Sequence, residues 1–225
     1  MNSIGQTARE IAEFWCHEDV VKFLTPNESD KTYVTPLVDN VKRVNYFSGN
    51  PLNRMSHRRK DDDWLQQLST CQSTIYILFS NLDPLVKQCS DNRSFQLLRF
   101  AHDQIETCLK SKPTIVFLGM DLSCADEVKV NDGIGWFAVD VGPLSNEQMH
   151  ELHADAVIVT LRSGLLQLLN TEASIVAQAR SVLAWLDRYQ FCPTCGSATY
   201  ITDAGYKRTC VKEDCKSNKG LFSSN

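Results

Sequence analysis

Long apolar runs are missing from this chain. No stretch of its 225 residues approaches the ~18 consecutive apolar residues of a membrane-crossing helix, so none is predicted. An excess of one charge is missing too. Twenty-three Lys and Arg stand against 27 Asp and Glu, a formal net charge of −4, which gives no general attraction to nucleic acid or anionic membrane. The densest basic run, "HRRK" at 57–60, is followed at once by "DDD" at 61–63. The two nearly cancel, and they predict a solvated loop or helix start. The first residues, "MNSIGQTAREIAEFW", have no basic segment leading into an apolar one, so no signal peptide is expected. The final "SSN" is not a peroxisomal S-K-L. A cytoplasmic protein in a reducing compartment is the expectation.

Enough apolar residues are present, at 43%, to bury a sizeable core. Residues 5–24 predict two short helices. Thr7 can cap the first, Glu10 completes a capping box, and Ile11, Phe14 and Trp15 share one face. The second runs from Asp19 to Leu24, ahead of Pro26. The pair is similar to the second half of an ankyrin repeat, which by itself has no stacked neighbour to cover its apolar face. Short β-rich runs follow at 73–80, 113–121, 135–142 and 155–161, with helical or partly helical segments predicted at 95–111 and 145–154. Strands and helices mix without a regular βαβ alternation, so an α+β fold is expected. The strongest helix signal is 172–190, where Val176, Ala179, Leu183 and Leu186 form one stripe, with Arg180 and Arg188 off it.

Of nine cysteines, Cys16, Cys71, Cys89, Cys108 and Cys124 are scattered and read as free thiols, several of them buried. The other four are paired: Cys192-x2-Cys195, fourteen residues, then Cys210-x4-Cys215. Gly196 suits a tight turn after the first pair, and the residues between the pairs predict two short strands joined at "DAG", 203–205. Such a hairpin would return the chain so that four thiolates close a tetrahedron around one structural Zn²⁺. A thioredoxin-like C-x-x-C would leave the second pair idle. Iron on four thiolates and four unrelated thiols stay open on spacing alone. With every ligand position taken by cysteine, such a zinc would scaffold rather than catalyse. His150 and His153 are not needed as ligands.

"VLAWLDRYQFCPTCG" with "GYKRTC" resembles the zinc-ribbon region of the NADH pyrophosphatases, a branch of the Nudix hydrolases. "NYFSGNPLNR", "ILFSNLDPLV", "IVFLGMDL", "GWFAVD" and above all "ASIVAQARSVLAW" resemble that family's Nudix-like N-terminal domain. The ankyrin-like pair is similar to the animal peroxisomal form, in which ankyrin repeats precede that domain. The resemblance implies a helical pair at 1–25, a linker at 26–43 and a Nudix-like domain at 44–171. It further implies a connecting helix at 172–190, a zinc ribbon at 191–220 and a divergent tail at 221–225. The zinc ligands carry over to Cys192, Cys195, Cys210 and Cys215.

The family's reaction is hydrolysis of the NAD(H) pyrophosphate to nicotinamide mononucleotide and AMP, and removal of NAD caps from RNA. It uses Mg²⁺ or Mn²⁺ held by a Nudix box, in homodimers. No R-E-x-x-E-E occurs in these 225 residues. The expectation is therefore a truncated form with no catalytic or cofactor-binding residues of its own, inactive alone, binding no Mg²⁺ or Mn²⁺. It would form a homodimer or a mixed dimer with a longer enzyme. Two alternatives are a non-catalytic dimerisation or regulatory module and a nucleic-acid-binding ribbon. Lys207, Arg208, Lys212, Lys216 and Lys219 favour the latter, but no aromatic-rich stacking surface is apparent in the sequence.

Overall fold

A computed structural model describes residues 7–15, 17–24, 46–47, 49–90, 93–123, 133–160 and 165–219. The chain divides into two compact units, Met1–Arg43 and Val44–Asn225.

In the first unit the predicted helices form as α1 (Ala8–Phe14) and α2 (Glu18–Leu24). The Thr7 hydroxyl accepts from the Glu10 N–H while the Glu10 carboxylate accepts from the Thr7 N–H at 2.6 Å, the expected capping box. Ala12 is buried, yet Phe14 and Trp15 of the predicted apolar face stand exposed, edge against face.

The second unit is built on a six-stranded sheet. Its strands are β1 (Ile75–Ser80), β2 (Asp83–Gln88), β3 (Phe95–Leu97), β4 (Thr114–Asp121), β5 (Ile134–Asp140) and β6 (Ala156–Ile158). The order is β3-β2-β1-β5-β4, with β6 also on β2; β1 and β5 are parallel and the other pairs antiparallel. Successive side chains point to opposite faces, and the burial follows. Ile77, Phe79, Val116, Leu118, Trp136 and Ala138 pack with the long helix α6 (Asn170–Arg188). Tyr76, Leu78, Phe117, Phe137 and Val139 face the other way, with side chains of α3 (Asp62–Ser69), α4 (Glu106–Leu109) and α5 (Asn146–Leu152) packed around them. The sheet is thus covered on both faces, in an arrangement of mixed α and β layers. The predicted α6 stripe is the buried one: Val176, Ala179, Leu183 and Leu186 are each at most 1% exposed.

Several expectations need correction. Segment 95–111, expected to be helical or partly helical, is helical only in its second half. Phe95–Leu97 is β3, a bridge joins Phe100 to Tyr76, and only Asp103–Leu109 is helical. The apolar residues there are compatible with a helical period, but pairing of Val86, Lys87 and Gln88 with Leu97, Gln96 and Phe95 holds the start of the segment extended. β2 itself was hidden by Pro84, which pairs opposite Phe79 just after a two-residue turn at Asn81-Leu82. Arg59 is not simply solvated: its guanidinium lies 3.5 Å over the Tyr206 ring, while Asp61 caps α3. Of the scattered cysteines, Cys71 is exposed and Cys89 and Cys108 are half-buried, so none of these three is a core residue. Cys16, Cys124 and the proposed linker and tail lie outside the described residues.

Candidate metal centre

α6 delivers the chain to the cysteine module. Phe191 bridges to Ala198, and a hairpin follows, β7 (Thr199–Thr202) and β8 (Lys207–Cys210), turning through Asp203–Gly205 as the sequence predicted. The first pair sits on a tight turn. The Gly196 N–H donates to the Cys192 carbonyl at 2.9 Å and the Cys192 N–H to the Ser197 carbonyl at 2.7 Å, with Gly196 at φ +73°. That positive φ is the region where glycine has no Cβ penalty. The second pair spans four residues and needs more support. Asn218 supplies it, donating from Nδ2 to the carbonyls of Cys210 and Lys212, 3.0 Å each.

The two turns bring all four sulfurs within 4.8 Å of one another. Cys192 Sγ lies 3.8 Å from Cys215 Sγ, and Cys195 Sγ lies 3.5 Å from Cys210 Sγ. Four sulfurs at about 2.3 Å from a zinc ion define a tetrahedron with edges of about 3.8 Å, so the donors fit in both number and spacing. Cys192, Cys210 and Cys215 are buried and Cys195 is exposed. Among the described residues this is the one group of three or more His, Cys, Asp or Glu close enough to share a metal. His150 and His153 are not in it. His150 contacts the Ala154 carbonyl, and the Asp155 N–H donates to His153.

The surroundings favour sulfur charge at Cys192 and Cys195. The Ser217 hydroxyl beside Cys192, with the backbone N–H groups of Thr194 and Cys195, draws the Cys192 thiol down to about 6. Hydrogen bonds from Ser197 also lower Cys195. The single Ser217 proton is shared between Cys192 Sγ, 3.4 Å away, and Cys215 Sγ, 3.2 Å away, and the Lys212 N–H approaches Cys210 Sγ at 3.4 Å. Loss of water pushes the Cys210 thiol up to about 12; a coordinated dication is the charge that reverses such a penalty. These outer groups orient the ligands. Ser217 and Asn218 were missed in the sequence. Their only signal is position, two and three residues past the last cysteine.

The module is keyed into the sheet and α6. Gly205, at φ +102°, presses on Val116 so closely that a Cβ would meet its methyl at 2.9 Å. Gln178 of α6, 8% exposed, accepts from Asn50 Nδ2 at 2.6 Å. Its own amide donates to the Leu118 carbonyl at 3.0 Å and to the Tyr206 hydroxyl at 2.6 Å. Arg208, one of the basic residues singled out above, is turned inward. It donates to the Thr199 carbonyl and hydroxyl and to the Leu186 carbonyl near the end of α6.

Comparison with known proteins agrees with this anatomy. Residues 73–185 match the family described as NADH pyrophosphatase-like rudimentary NUDIX domain, and residues 187–217 match the NADH pyrophosphatase zinc ribbon domain. The chain is 38% identical to the NAD-capped RNA hydrolase NUDT12 of Pongo abelii and 37% identical to that of Homo sapiens. Both alignments cover all of this chain and 52% of the relative. It is 24% identical to the NAD-capped RNA hydrolase NPY1 of Saccharomyces cerevisiae, over 76% of this chain and 51% of that protein. The chain spans about half the length of these curated relatives. With the two matched domains lying end to end and the four cysteines inside the second, the chain belongs to the NADH pyrophosphatase family of Nudix proteins.

Proposed function

We propose that this chain is the Nudix-like and zinc-ribbon portion of a NAD(H) diphosphatase that also acts on NAD-capped RNA. The reaction adds water across the pyrophosphate of NAD(H) and releases nicotinamide mononucleotide and AMP. The observation that carries the reading is the adjoining match to both domains, with a closed four-sulfur cluster in the ribbon. Cys192, Cys195, Cys210 and Cys215 hold one Zn²⁺, which stabilises the fold and leaves no position open to water. The reading takes 44–171 as the Nudix-like part, 172–190 as the connecting helix and 191–220 as the ribbon. The α1–α2 pair serves as a partial ankyrin unit, and the protein works in the cytoplasm as a homodimer or a mixed dimer with a longer family member.

The 225 residues contain no R-E-x-x-E-E, and the described ones bring no three carboxylates together. The reading assigns catalytic Mg²⁺ or Mn²⁺ to a Nudix box that these 225 residues do not contain, and takes the chain alone to hydrolyse no NADH. A chimera tests the assignment: this chain replaces the matching half of the human relative, joined to the rest of that protein. A folded chimera should release nicotinamide mononucleotide with Mg²⁺ or Mn²⁺, and a folded but inactive one refutes the assignment. Release by the 225-residue chain alone, above a metal-free blank, refutes its inactivity.

A further inference from the structure

The ribbon sheet has two unlike faces. Phe191 pairs with Ala198, and the β7–β8 register continues that row to Val211, whose N–H donates to the Ala198 carbonyl. The next rows are Tyr200 with Thr209 and Thr202 with Lys207. Directly paired residues share a face, as do residues two apart along a strand. One face therefore carries Phe191, Ala198, Val211, Tyr200, Thr209, Thr202 and Lys207. The other carries Thr199, Cys210, Arg208 and Ile201; Cys210 and Arg208 turn toward the cluster and α6, and Ile201 is 36% exposed.

The first face is bare. Phe191 is 68% exposed, Val211 54% and Tyr200 51%. Phe191 and Tyr200 are diagonal neighbours, about 7–8 Å apart by sheet geometry. Lys207, exposed, stands in the row next to that of Tyr200, and none of the seven positions is acidic. The sequence hid this surface because Phe191 lies nine residues from Tyr200, outside the hairpin, and reaches it only through the bridge to Ala198.

We propose that this face binds single-stranded RNA, with bases stacked on Phe191 and Tyr200 and a phosphate at Lys207. Aromatic side chains standing on an open sheet face are a common platform for unpaired bases. A protein partner is disfavoured because the aliphatic part of the face is only Ala198 and Val211, with hydroxyls and a cation beside it. The choice of RNA as occupant rests on the reading of the chain as part of a NAD-capped RNA hydrolase.

The test is fluorescence anisotropy of the zinc-loaded chain with an uncapped single-stranded RNA of about ten nucleotides. Zinc content and thermal melts of each variant report on folding. Phe191→Ala and Tyr200→Ala should each weaken binding by roughly 5- to 100-fold, and Tyr200→Phe should leave it nearly intact. With one cation on the face, the slope of log K against log salt should be shallow, about −0.7, and Lys207→Ala should flatten it. Duplex RNA, whose base faces are covered, should bind more weakly. Equal affinity for duplex and single strand, or unchanged affinity in both alanine variants, overturns the proposal. So does a self-association lost in Phe191→Ala without any effect on RNA, which would make the face a contact between copies. An active chimera whose ribbon binds no RNA refutes this proposal and leaves the proposed function standing; RNA binding with an inactive chimera does the reverse.

Discussion

Replacing Gln178 by Leu should loosen the second unit at its centre. The change shortens the side chain by one atom and removes every polar atom. Three hydrogen bonds go with it: from Asn50, to the Leu118 carbonyl and to the Tyr206 hydroxyl. Asn50 and Tyr206 are half-buried, so water can partly replace what they lose, at a net cost of about 0.5–1.5 kcal/mol each. Leu118 is fully buried on β4, beside a break in the β4–β5 register, and its carbonyl is left without this donor. A stranded buried acceptor costs about 1–3 kcal/mol. The added apolar surface returns part of this, which leaves roughly 2–4 kcal/mol. For a unit of this size that lowers the melting temperature by roughly 5–15 °C. Urea unfolding of the zinc-loaded protein, followed by circular dichroism, gives the free energy directly. A double-mutant cycle with Tyr206→Phe should show a coupling of about 0.5–1.5 kcal/mol. A loss below about 0.5 kcal/mol, or strict additivity, would refute the view that this amide ties the ribbon turn, β4 and the Asn50 segment together.

Elemental analysis should find about one zinc per chain, and Cys210→Ser should abolish it and lower the melting temperature of the whole second unit. Gly205→Val should cost about 2–4 kcal/mol in denaturant titration, because it combines a positive φ with a Cβ that overlaps Val116. Burial pushes the Tyr76 hydroxyl up to about 12 while it donates to the Ser69 carbonyl at 2.6 Å. The unfolded chain loses that proton first, near pH 10. The stabilisation is therefore complete below about pH 10 and fades by about 12, a loss of about 2–3 kcal/mol. Melts across that range should show the decline, and Tyr76→Phe should remove that part of it.

What the sequence revealed, and what it hid, follows from the range of the interactions. α6 was legible because its stripe is a local period that the core reads without change. The cysteine cluster was legible because two short spacings and a hairpin suffice to close it. β2 and β3 were not, since a strand containing Pro84 and a helix-like "FQLLRF" take their conformation from partners far along the chain. Arg208 looked like one of several surface cations and proved to be a clasp on the carbonyl of Leu186. Its role depends on where α6 ends relative to the hairpin, which no local pattern encodes. The aromatic face on the ribbon was hidden for the same reason.

The anchoring of the ribbon turn by Gly205 and Tyr206 bears on how the metal comes and goes. A free ribbon peptide must order its whole loop when it takes up zinc, and that entropy is charged against affinity. Here the hairpin tip is held against β4 and α6 by contacts that involve no sulfur. Were one thiolate of a bound zinc to let go, its arm would stay at high effective concentration, which favours recapture of the ion. The residence time of a zinc held there would thus depend in part on an amide on a helix that does not touch it, and loosening Gln178 should shorten that time with all four cysteines intact.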